Sequence, residues 1–319
     1  MKILMFGRGT IATIYGWALE RAGHHVEFYV RPGRAAAYGA TTRLDLLDTR
    51  RRMLGRPVTE DWPVHYRESL APDHDFELII LSVAHSSLPE AVDFLAPRLG
   101  GATVLMFSNL WTEPLDAIGS LPVDRVAWGF PQAGGGLGDD GVLRGALLPS
   151  VIFGTLGLPP TDRERAARQA FRTAGFRIQE RADFRGWLWI HFATNVGFHS
   201  QAVQLGSFSK LIGATDSLRS VLLTSREFLP VVEVWGVDLR RHRSETALLR
   251  APTWLTAPLL AWLVTHFPPL RANFAAQSGT AGGEPGAILR DALAEARRLG
   301  VPTPRLEAAE PYFARADGA

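Results

Sequence analysis

The stretch that most restricts what this chain can fold into is Gly7-Arg8-Gly9-Thr10-Ile11-Ala12, a G-x-G-x-x-A placed directly behind the apolar run at 3–6. Gly7 permits a tight turn, Gly9 lets the backbone come close to a ligand, and the small Ala12 lets the following helix pack against the strand. The first-turn amides of that helix, around Thr10 and Ile11, have no acceptors within it. Together with the helix dipole they favour an anion, and for this pattern between a strand and a helix the anion is a dinucleotide pyrophosphate.

The residues that follow extend a strand–helix alternation. A helical pattern over 10–22 stops at Gly23, and Val26, Phe28 and Val30 alternate as in a strand. The run at 78–83 is continuously apolar, as in a parallel strand buried on both faces. A helix is expected over 86–99, ending at Gly100-Gly101, with further strands at 103–107, 126–130 and 151–153. The alternation implies the α/β class, with a doubly wound parallel sheet of the Rossmann type. Beyond Pro159-Pro160 the period becomes helical: Thr161 or Asp162 can cap a helix over 163–175, and further helices are expected over 184–204, 215–236, 244–266 and 284–299. The expected organisation is a nucleotide-binding domain over 1–158 and an all-helical domain over 159–319, with an active site in the cleft between them. Gly134-Gly135-Gly136 follows a strand but precedes no helix, so it reads as a flexible connecting loop and not as a second phosphate cradle.

Composition narrows the classes of function. With no cysteine among 319 residues, disulfides, thiolate metal sites and a cysteine nucleophile are excluded, which fits a reducing compartment. Net charge is +2 without a long run of like charge, so no nucleic-acid partner is expected, and Arg240-Arg241-His242-Arg243 reads as a solvated helix end. The opening apolar run is too short for a signal segment. The stretch at 254–267, interrupted by Pro258, falls short of the ~20 residues of a membrane span, so it reads as a buried helix or a subunit interface. The expectation is a cytoplasmic protein with a small-molecule substrate and no membrane partner, a homodimer being left open.

The second strand ends in Phe28-Tyr29-Val30-Arg31-Pro32-Gly33-Arg34. A ribose 2′-hydroxyl calls for a carboxylate at this place and a 2′-phosphate for positive charge. Arg31 and Arg34 therefore favour NADP over NAD, with Glu27 too early in the strand to reach the ribose.

Together these residues resemble the ketopantoate reductase family over nearly the whole chain. Tyr15-Gly16 and Arg21-Ala22-Gly23-His24 are similar to the family's opening helix, Ser108-Asn109 to its Asn-Gly loop beside the nicotinamide (with Leu110 for the glycine), and Gly300-Val301-Pro302-Thr303-Pro304 to its closing turn. The resemblance implies a helical second domain like that of 6-phosphogluconate dehydrogenase and reduction of a 2-oxo acid or related ketone. It also places Val83, Ala84, His85, Asn109 and Glu284 on the cofactor. His191, between Trp189 and Asn195, stands where the family has its general-acid lysine. His199 replaces a second asparagine, His85 a second lysine, and Ala272 and Ala276 the serine and aspartate that bind substrate.

Taken by themselves, His191, Asn195 and His199 recur every four residues, a polar stripe on one face of a helix rich in Trp and Phe. Buried polar groups need partners, so such a stripe faces a site or a network. A histidine whose ordinary pKa is near 6.5 is a competent acid for carbonyl reduction, with Asn195 orienting the carbonyl. The two histidines lie about 12 Å apart along the axis, too far to share one metal ion, and no metal is expected. Three alternatives stay open: histidines satisfied in a core, a nucleotide-binding protein without redox chemistry, and a non-redox acid–base enzyme such as an isomerase or cyclase.

Overall fold

The computed structural model describes residues 1–110, 112–277 and 284–314. The chain divides into two compact units, Met1–Phe184 and Arg185–Ala319.

The first unit begins with strand β1 (Lys2–Phe6), helix α1 (Thr10–Glu20), β2 (His25–Tyr29) and the short α2 (Ala35–Tyr38). Then come β3 (Thr41–Asp48), β4 (Arg56–Pro63), β5 (Tyr66–Arg67), β6 (Leu78–Leu81), α3 (Leu88–Leu95), β7 (Thr103–Met106) and α4 (Pro114–Ala117). The unit closes with β8 (Val126–Phe130), β9 (Ala133–Leu137), β10 (Val142–Leu147), β11 (Ser150–Gly154), α5 (Asp162–Thr173) and β12 (Arg177–Arg181). The main sheet has eight strands in the order β12-β11-β8-β7-β6-β1-β2-β5, parallel throughout except where β11 meets β8.

All four residues of β6 and of β7 are buried, which is why the sequence there is apolar on both faces. Ala12 allows the expected close packing of α1, and Gly16 requires it: a Cβ on Gly16 would lie 2.5 Å from the Phe28 ring. The tight turn after β1 needs Gly7, whose φ of +92° is a conformation L side chains rarely adopt.

The boundary between units differs from the one expected near residue 158. α5 packs on the main sheet, and β12 pairs in parallel with β11, so residues 159–184 complete the sheet instead of opening the helical unit. The capping box at α5 is formed by Thr161, whose hydroxyl accepts from the Glu164 amide while the Glu164 carboxylate accepts from the Thr161 amide.

A second, four-stranded sheet, β4-β3-β10-β9, has no counterpart in the sequence reading. Its longest pairing is the antiparallel β3–β4, running from Thr41↔Pro63 to Asp48↔Arg56. The triglycine expected as a flexible loop is strand β9, paired with β10. Glycine is needed there because the two backbones approach closely: a Cβ on Gly135 would sit 2.2 Å from the Arg144 carbonyl oxygen.

The second unit contains α6 (Phe184–Leu205), α7 (Thr215–Val234), α8 (Arg243–Arg250), α9 (Thr253–His266), α10 (Pro268–Ala276), α11 (Glu284–Arg298) and α12 (Pro304–Phe313). The helix expected over 244–266 is two, bent by 103° at Ala251-Pro252, where Pro252 brings no amide to continue the ladder. Pro258 interrupts nothing, since α9 runs through it. Nor is α9 a wholly buried helix: Trp254 and Trp262 are 70% and 57% exposed. Among the described residues no single helix is long and apolar enough to cross a membrane. A Cβ on Gly197 would lie 2.2 Å from Ser225 Oγ and 2.3 Å from the Val221 carbonyl oxygen, so α6 and α7 cross in near backbone contact.

A Gly135→Ala protein must push β9 off β10, and overpacking of this kind costs about 1–3 kcal/mol. Its thermal midpoint is expected to fall clearly below that of the native protein. Gly101→Ala, where a Cβ would meet nothing within 4 Å, should leave the midpoint unchanged; equal midpoints for both variants would contradict the β9–β10 pairing.

Candidate active site

In the first unit, parallel pairing sets the carboxyl ends of the central strands along one edge, with Phe6 opposite both Tyr29 and Leu81, and Leu81 opposite Met106. The chain leaves β1 towards β2 on one side and returns to β6 on the other, so this edge carries the sheet's switch point, where ligands bind in open α/β sheets. Gly7 to Ala12 follow β1, Arg31 and Arg34 follow β2, Val83, Ala84 and His85 follow β6, and Asn109 follows β7. The topology therefore brings these residues to one edge. Glu284 begins α11, but its side chain lies outside the described residues.

The glycine loop fits a diphosphate. Thr13 is the residue whose amide bonds back to the Gly9 carbonyl, at 2.9 Å, and no side chain caps the start of α1. A Cβ on Gly9 would meet no protein atom within 4 Å, so packing within the protein does not explain the glycine. Ser108 joins two of the loops: its hydroxyl accepts from the Val83 amide (3.3 Å) and donates to the Leu81 carbonyl (3.2 Å).

Charge at the end of β2 is more mixed than the sequence implied. Arg31 reaches Glu90 at 2.7 Å, both side chains being 70% exposed, and the Arg34 guanidinium lies 5.4 Å from the Tyr38 ring centre. Glu27 is held within the strands by His25 and Arg67, each at 3.0 Å. Sequence reasoning missed Glu68, just past β5, whose carboxylate accepts from the Ala35 amide at 2.8 Å, and whose pKa is held below the ordinary value by that bond and by the neighbouring amides. It also missed Arg8, treated only as the residue between two glycines. Arg8 donates to Tyr66 Oη and Thr42 Oγ1, both at 2.7 Å, and lies 4.7 Å from the Tyr38 ring centre. A cation inside the glycine loop was the available signal.

In the second unit, α6 is one continuous helix, so His191, Asn195 and His199 do share a face. The Trp187 ring stacks on His191 at 5.2 Å and 14°, and Phe208 meets His199 edge-on at 5.3 Å. Each residue keeps some accessible surface, yet burial among these rings lowers both pKa values to about 4. For His199 the nearby His191 adds to the depression. This corrects the expectation of titration near neutrality, because the apolar surround penalises the imidazolium. Buried His199 Nδ1 and Trp189 Nε1 have no hydrogen-bond partner among the described residues, and Arg185 lies over the Trp189 ring at 3.8 Å.

Residues 3–155 match the family described as Ketopantoate reductase PanE/ApbA. Among solved structures, the chain is similar to 2-dehydropantoate 2-reductase from Geobacter metallireducens GS-15, at 18% identity, 99% coverage of this chain, 100% of that one and a TM-score of 0.70. It is similar to a PanE/ApbA family ketopantoate reductase from Ralstonia eutropha JMP134, at 20% identity, coverages of 99% and 98% and a TM-score of 0.65. A D-mandelate dehydrogenase, solved with NADH and anilino(oxo)acetate, matches at 16% identity, coverages of 99% and 98% and a TM-score of 0.70. At such identities the likeness establishes a shared fold. No functionally curated protein matches.

The lowered imidazole pKa values make stability depend on pH. The unfolded chain binds these protons from about pH 6.5 downward and the folded chain only near 4. Stability is therefore complete above 6.5 and declines as pH falls towards 4, by about 3 kcal/mol per imidazole. Thermal midpoints of a His191→Asn/His199→Asn protein should fall less steeply over this window; an unchanged slope would show that neither imidazole is desolvated.

Proposed function

We propose that the protein is an NADP-preferring oxidoreductase interconverting a carbonyl compound and its alcohol, a reading that starts from the match of residues 3–155 to the ketopantoate reductase PanE/ApbA family. The observation that carries this reading is the edge of the parallel sheet, where the glycine loop, the arginines after β2 and Asn109 after β7 assemble. The first-turn amides of α1 hold the diphosphate, and Arg31 exchanges its exposed partner Glu90 for the 2′-phosphate, a dianion that a guanidinium fork matches better than a single carboxylate. Arg8 and Arg34, both against Tyr38, supply further positive charge. Glu68, already bonded by the Ala35 amide, is less available to a ribose hydroxyl.

A bound reduced nicotinamide supplies hydride to the carbonyl carbon. His191 carries the proton that must accompany it. With a pKa near 4 its imidazole is neutral at neutral pH, ready to accept the hydroxyl proton in the oxidative direction. In the reductive direction it must be protonated, and an anionic substrate beside it favours that form. This suits a 2-oxo acid, the class to which the anilino(oxo)acetate of the D-mandelate dehydrogenase structure belongs. Asn195, one turn further along α6, presents an amide to the substrate oxygen.

Three measurements test the reading. Titration is expected to show tighter binding of NADPH than of NADH, with Arg31→Ala narrowing the gap; tighter NADH binding overturns the preference. His191→Ala should lower turnover on 2-oxo acids by about 10²- to 10⁴-fold with NADPH affinity unchanged. In the native protein, kcat/KM for reduction should rise as pH falls towards 4. Undiminished turnover in His191→Ala removes its role as proton carrier.

A further inference from the structure

A cavity of about 710 Å³ opens in the first unit at the carboxyl end of α1, beside the connection from β3 to β4. Its size lies within the range of small-molecule sites. Arg21, Arg50, Arg51, Arg52 and Arg56 line it, against the carboxylates of Asp48 and Glu60. Both carboxylates are engaged: Glu60 accepts from Arg21 at 2.6 Å and from the Trp17 indole, and Asp48 from Arg50 at 2.8 Å. Arg51, Arg52 and Arg56 are exposed and make no hydrogen bond or ion pair through their side chains among the described residues. Three guanidinia without a direct side-chain partner at one cavity repel one another, Arg51 feeling only the longer-range pull of Asp48, and an anion bound among them relieves that repulsion.

The fold builds this arrangement. Antiparallel pairing sets Arg56 opposite Asp48, and the turn between the strands is closed by the Gly55 amide on the Arg52 carbonyl, 2.9 Å, with Gly55 at a φ of +86°. Arg50 forms a rigid floor. It donates to the Ala174 carbonyl at 2.6 Å, bonds both Asp48 oxygens, and lies 5.3 Å from the Trp17 ring centre and 5.2 Å from that of Phe176. The glycine loop stands at the opposite end of α1, about 16 Å away along an 11-residue helix.

We propose that this cavity is a binding site for a small multivalent oxyanion, a phosphate ester or a polycarboxylate, distinct from the nucleotide loop. Arg51, Arg52 and Arg56 make the charge-assisted contacts, and Arg50 does not change partners.

Calorimetric titration of the full chain with inorganic triphosphate and with citrate tests this. Binding is expected to weaken by about tenfold for each guanidinium removed in Arg51→Ala, Arg52→Ala and Arg56→Ala. It should weaken as salt is raised and persist in an Arg31→Ala/Arg34→Ala protein. Tighter triphosphate assigns the site to phosphate esters, tighter citrate to polycarboxylates. The substitutions are on the surface and leave the floor intact, so circular dichroism should be native. No binding of either probe, or binding that survives all three substitutions but not loss of Arg31 and Arg34, overturns the proposal.

Discussion

The position of β1 between β2 and β6 is the constraint on which the first unit depends. Parallel neighbours on both sides force the chain to leave in one direction and return from the other, and the turn out of β1 must deliver a helix start at that edge. Gly7 supplies the conformation, while Gly16, nearly touching the Phe28 ring, lets α1 lie close enough to bury its apolar face. The Tyr15 hydroxyl, at the middle of α1, accepts from the Gln132 amide at 2.8 Å and ties the helix to the segment after β8. The same packing that stabilises the sheet thus fixes where the unpaired amides point.

A different balance governs α6. Its polar stripe is set among aromatic rings, and desolvation outweighs any stabilisation of the imidazolium, so His191 and His199 are neutral at neutral pH. Cost and use are linked. A group that burial keeps unprotonated responds strongly to an anion placed beside it, which a solvated histidine would not do.

The helical face of His191, Asn195 and His199 was legible because helical period is a local property, readable from spacing alone. The glycine loop and the apolar strands were legible for the same reason. The imidazole pKa values were not, because they depend on rings brought from elsewhere, Phe208 among them. Arg8 and Glu68 escaped notice because their meaning lies in Tyr66, Thr42 and the Ala35 amide, which are distant in sequence from at least one of them. The second sheet was missed although Thr42, Leu44 and Leu46 alternate inward along β3, a period-two signal in plain view.

From sequence alone came the α/β class, the site of the helix start behind β1, the helical character of the later half and the stripe on α6. Each follows from chain-local geometry: a strand repeats every two residues, a helix every 3.6, and glycine marks a turn. Tertiary structure alone decided that residues 159–184 belong to the sheet, that the triglycine is a strand held against β10, and that arginines 50 to 56 close around a cavity. Those outcomes rest on pairings between segments far apart in the chain, and no local pattern specifies which partner a strand edge or a guanidinium will meet.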